Sequence, residues 1–124
     1  MTPSHFHKYV AEALENLPKA FQEKMENVGV IVEDFADPDT LDSLGIGSPW
    51  GLLGLYVGVP INQRSVFWLS TMPDRIYLYR EPIIAAAGDP NNIVPTIRDV
   101  LVHEVGHHFG FSDEELYEMT RDSR

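Results

Sequence analysis

The apolar positions of this chain change period along its length, and those changes divide it into elements. Over residues 4–26 they recur at helical spacing: Phe6, Val10, Ala13, Leu14 and Leu17 form one stripe, which Phe21 and Met25 continue. Ser4 reads as the N-cap. Pro18 has no backbone N–H and suits only a first turn, so the stretch reads as a helix that breaks there or as two helices. Val28–Glu33 is a short β-branched run and predicts a strand. Residues 34–42 are acidic, contain Pro38, and read as a loop or short helical turn. Residues 44–60 carry Gly45, Gly47, Gly51, Gly54 and Gly58 with Pro49 and Pro60, which denies regular helix. Leu52, Leu53, Leu55, Tyr56 and Val57 leave room for one short strand inside that stretch. It reads as a structural loop or as a wall beside an active site.

Residues 66–69 extend the strand content, and residues 75–80 give the clearest strand, with Tyr77 and Tyr79 alternating with Ile76 and Leu78. Pro73 and Pro82 bound it, which predicts an edge position able to pair with an extended peptide. Residues 83–87 predict a short helix ending at Gly88, followed by a turn in which Asn91 or Asn92 caps the next helix. That helix is expected over residues 93–109. Val94, Ile97, Leu101, Val105 and Phe109 mark its core face, while Asp99, His103 and His107 lie on another. Gly110 is placed to end it in a left-handed turn. A last short helix over residues 113–120 follows, capped by Ser112 or Asp113, with Met119 in the core. The elements predict an α+β fold: a small mixed or antiparallel sheet packed on an N-terminal helix and on the helix of residues 93–109.

Composition narrows the picture. A chain of 124 residues suffices for one domain, residues 1–124, and not two. The formal net charge of −10 argues against a nucleic-acid partner and against an anionic membrane surface. No apolar stretch is long enough for a membrane span, and no signal peptide is apparent in the first ten residues, so a cytoplasmic protein is the expectation. There is no cysteine, so any metal must be held by His, Asp or Glu.

The chemistry is concentrated in one stretch. His103 and His107 stand four apart, hence on one helical face and able to bind the same zinc ion. Glu104 is rotated about 100° from His103 around the axis. Its carboxylate can therefore reach a water at the metal without ligating the metal, the division of labour of a zinc protease. A catalytic zinc usually has three protein ligands. Little chain follows, so the third is sought just after Gly110. Three extended residues span roughly 10 Å, enough for Asp113 to return to the metal. Capping is the competing role for Asp113, and Glu114 and Glu115 are fallback ligands. His108 reads as a packing or ligand-supporting residue, and Asp99 either orients His103 or is solvated. Tyr77, Tyr79 and Tyr117 are candidate oxyanion donors, each with a structural reading beside it. His5 and His7 point to different faces, against a shared metal.

The spacing H-E-x-x-H-x-x-G-x-x-D resembles the metzincin metalloprotease motif with Asp in place of the third His, and is similar to that of small neutral proteases of the snapalysin type. The chain further resembles a family of small bacterial zincin-like metallopeptidases. G-L-Y-V-G-V-P at 54–60, P-D-R-I-Y-L-Y-R-E-P at 73–82 and H-E-V-G-H-H-F-G-F-S-D-E-E at 103–115 carry that resemblance. It implies a minimal zincin-like domain with one Zn2+ per chain, a peptide or protein substrate, His103, His107 and Asp113 as ligands, and Glu104 as general base. The Met-turn and the C-terminal subdomain of metzincins have no counterpart in this sequence. Two alternatives stand beside the peptidase: a non-catalytic zinc-binding module, and an endoribonuclease-like hydrolase with the same ligand spacing. The latter has Gly where Glu104 stands and is disfavoured by the negative charge.

Overall fold

The computed structural model describes residues 3–58, 74–106 and 108–121. Among them, three strands form one mixed sheet in the order β1–β3–β2. β1 is Val28–Glu33, β2 is Gly54–Val57 and β3 is Asp74–Tyr79. β1 runs parallel to β3, with Val30 opposite Ile76 and Val32 opposite Leu78. β2 runs antiparallel to β3, with Leu55 opposite Tyr77 and Tyr56 opposite Ile76.

The strand expected at the edge from its flanking prolines is therefore the central one. Both of its hydrogen-bonding edges are used, and Ile76 and Leu78 are fully buried. Pro82 lies beyond the strand, in the first turn of the next helix, where its missing N–H costs no ladder bond. Pro73 and residues 66–69 lie outside the described residues. Alternation sends Ile76 and Leu78 into the main core. Tyr77 and Tyr79 face the other side and pack with Ala36, Leu41, Leu52 and Leu55.

Six helices complete the described structure: α1 Pro3–Glu15, α2 Lys19–Met25, α3 Pro38–Ser43, α4 Arg80–Ala87, α5 Ile93–Val105 and α6 Asp113–Arg121. α1 and α2 meet at Pro18, whose extended ψ of 146° stops one helix and starts the other. Ser4 lies inside the first turn of α1, not before it, because the helix already begins at Pro3. α3 is a true helix, with the Asp37 carboxylate accepting the Thr40 N–H at 2.8 Å.

α5 is the axis of the core. Ile93, Ile97, Val100, Leu101, Val102 and Val105 are all buried, a broader face than one stripe. Each such side chain contributes about 1.5–3 kcal/mol of transfer free energy. Arg98, buried on the same helix, donates from Nη1 to the Asn16 carbonyl at 3.2 Å and ties α5 to the end of α1. Asn92 does not cap α5. Its backbone is already helical, and its Nδ2 donates to the Ala87 carbonyl. The capping oxygen belongs instead to Asp89, which accepts the Asn91 N–H at 2.8 Å and opens a 3-10 turn over Pro90–Asn92 leading into α5. Gly88, at φ 74°, ends α4 as expected.

α5 stops at Val105, short of residue 109. Beyond it the Phe109 N–H bonds the Val105 carbonyl and the Phe111 N–H the Gly106 carbonyl. Gly110 turns the chain at φ 91°. α6 folds back so closely that a Cβ on Gly106 would collide with Leu116, which is itself buried. No helix among the described residues is long and apolar enough to cross a membrane.

Candidate metal centre

The solvent side of α5 carries His103, exposed, and Glu104, half-buried. Their difference follows from helix geometry: a rotation of about 100° takes the second side chain from the open face to the flank beside β2. His103 Nδ1 lies 2.7 Å from the backbone carbonyl of Asp99, one turn earlier. A carbonyl only accepts, so this contact assigns the ring proton to Nδ1 and leaves the Nε2 lone pair outward, the form an imidazole needs to bind a metal. Asp99 thus orients the ligand candidate through its main chain.

Glu104 borders a groove of about 430 Å3 between α5 and residues 51–54. Burial pushes its carboxyl above the ordinary carboxylate range, and the neighbouring His103 partly offsets the rise. Glycine at position 54 lets β2 lie this close to α5. A Cβ there would lie 2.6 Å from Val100 Cγ1, 3.1 Å from the Tyr77 carbonyl oxygen and 3.6 Å from Glu104 Cγ. Residues 51–54 of the glycine-rich stretch are therefore a wall of this site, and the stretch also supplies β2.

His107 lies outside the described residues. Asp113 is exposed in the first turn of α6. The capping role that competes for it is taken by Ser112. The Glu115 N–H donates to Ser112 Oγ at 3.2 Å, and the Ser112 N–H donates to Glu115 Oε1 at 2.9 Å, a reciprocal capping box. That box also engages the fallback ligand Glu115, while Glu114 is exposed on the same turn. Among the described residues no three His, Asp or Glu side chains are grouped closely enough to hold a metal, in a set that does not contain His107. The donor chemistry fits zinc: an imidazole oriented by the Asp99 carbonyl, carboxylates on the following helix and no thiol.

The tyrosine candidates divide. Tyr79 is buried on the far face of the sheet, and desolvation with Glu33 and Asp37 nearby pushes its pKa to about 12. It stacks on Tyr77, centroids 6.4 Å apart, away from α5. Tyr117 is exposed. The tyrosine beside the motif is Tyr56, whose sequence context marks it as a strand residue and not as a site residue. Its hydroxyl donates to Asp74 Oδ2 at 2.6 Å, and its ring lies 4.3 Å from that of His108. His108 is thus a packing residue, and it joins the end of the motif to the edge strand. The signal was present: Tyr56 stands two residues after Gly54 and so shares its face.

A family model described as "Zincin-like metallopeptidase" matches residues 25–122. Among solved structures, the chain is similar to a conserved hypothetical protein from Thermo thermophilus, with 25% identity and a TM-score of 0.55, covering 86% of this chain and 92% of that one. No curated protein matches.

Proposed function

The chain belongs to the zincin-like metallopeptidase family, and from that premise we propose that it is a zinc-dependent peptidase with Glu104 as general base and His103, His107 and Asp113 as the metal ligands. The observation that carries this reading is the pairing on α5 of an imidazole fixed with Nε2 outward and a half-buried carboxylate facing the same groove. Zinc, when bound, supplies a Lewis acid that polarises a peptide carbonyl and acidifies a water. The protein's share is position and proton transfer. His103 is held in one tautomer by the Asp99 carbonyl, so no reorientation precedes binding. Glu104 accepts the proton of the attacking water at its carboxylate and returns it to the leaving amine. Its raised proton affinity suits both halves of that exchange, because base and acid work best with a pKa near working pH.

The substrate in this reading is an extended peptide lying along residues 51–57. Among the described residues β2 lies at the side of the sheet nearest this groove and is bonded to β3. Leu52 and Leu53, which line the groove, favour apolar side chains there. Two features favour peptide over RNA: the carboxylate at position 104 and the net charge of −10. Elemental analysis of untagged protein tests the cofactor. Close to one zinc per chain is expected, and its absence after reconstitution would sink both the peptidase and the binding-module readings.

A further inference from the structure

A second groove, of about 500 Å3, lies between α2 and β1. Its floor is apolar, formed by Leu14, Met25, Val28 and Val30. The two valines point to the core side of the sheet yet are only half-buried, because α2 covers β1 incompletely. β1 is also an outer strand, bonded among the described residues through its β3 side alone. A row of main-chain donors and acceptors therefore runs beside the groove. The strand itself carries none of the usual blunting devices: it has no proline, no bulge in its pairing with β3, and no charge before Glu33. The rim is acidic. Glu15, Glu23 and Glu26 stand exposed around the groove against Lys19.

We propose that this groove docks an extended, basic segment of another protein, added as a strand to the free edge of β1. Alternate side chains of such a strand face the groove. A lysine or arginine there lays its methylene stem on Val28, Val30 and Met25 and presents its charge to the glutamates, matching both the apolar floor and the acidic rim. The site is distinct from the candidate metal centre in its lining residues. The buried face of α2 carries Phe21, whose ring contacts Phe109 at 5.1 Å and Phe111 at 5.7 Å, on either side of Gly110.

The test uses the full chain carrying Glu104→Gln, so that no probe is cut, and a labelled peptide of alternating lysine and valine. Binding is read by fluorescence anisotropy and its place by amide hydrogen exchange. Slowed exchange along residues 28–33 is expected, with binding about tenfold or more weaker for the peptide carrying glutamate in place of lysine. The double variant Glu23→Lys with Glu26→Lys should reverse that preference at an unchanged melting temperature. Equal binding of the two peptides overturns the proposal, as does protection along residues 54–57 in place of 28–33. Self-association of the free protein through β1 that the peptide does not reverse would assign the edge to a second copy and equally overturn it.

Discussion

At the scale of single residues, Glu104 has the most consequences. Its carboxyl is pushed up by burial, so the folded protein binds a proton more tightly there than the unfolded chain does. Folding stability from this group is then fully present below the unfolded carboxylate pKa and is lost as pH rises through the folded one. The metal-free Glu104→Gln protein should melt higher than wild type at neutral pH, by on the order of a few degrees. The gap should close as pH falls below the ordinary carboxylate range, and melting curves across pH check this. A gap that widens in acid would mean that Glu104 is stabilised as an anion. Asp113 and Ser112 make a second residue-scale test, because the capping box separates their roles. Asp113→Ala should lower zinc affinity by about a hundredfold or more in chelator competition, with little effect on apo stability. Ser112→Ala should do the reverse, costing about 1 kcal/mol of apo stability as a lost cap. Equal zinc affinity in wild type and Asp113→Ala would remove Asp113 from the ligand set.

At the scale of elements, glycines decide where the site-bearing pieces meet. Gly106 lets α6 fold onto α5 through Leu116, and Gly54 lets β2 approach Val100 and Glu104. Gly106→Ala should destabilise by about 1–3 kcal/mol through overpacking, measured by denaturant unfolding. Gly54→Ala should leave α6 in place but narrow the groove. Much of this was legible in the sequence. The β-branched run of β1, the break at Pro18, the helix-ending Gly88 and the turn at Gly110 have strong local causes, and each stands where expected. Other features have non-local causes and did not show. Whether residues 75–80 lie at an edge depends on partners 18 or more positions away, and flanking prolines are a weak guide to it. The cap of α5 moved from Asn92 to Asp89 because a 3-10 turn precedes the helix. The face of Tyr56 was legible from Gly54 two residues earlier, but its partner His108 was not, because tertiary contact brings them together.

At the scale of the whole molecule, α5 runs through the hydrophobic core and bears the candidate chemistry on its one wet face. A metal held by His103 and Asp113 would join α5 to α6, which also packs on the core through Leu116 and Met119. Zinc should therefore raise the melting temperature, with about 4 kcal/mol of linkage at a free concentration a thousandfold above Kd. Chelation should loosen α6 before the sheet, as read by hydrogen exchange; uniform loosening would place the metal elsewhere. The motif was legible because i, i+4 spacing on a helix is a local rule. The groove was legible only as one of two readings of the glycine-rich stretch, because it is made by two segments some fifty residues apart.

The central claim is that Glu104 drives peptide hydrolysis at a zinc site on α5. Its most direct test is cleavage of a broad peptide library by the wild type and by Glu104→Ala, each with matched zinc content. The account predicts cleavage by the wild type and a loss of about a hundredfold or more in the variant. Equal cleavage by both proteins would contradict it.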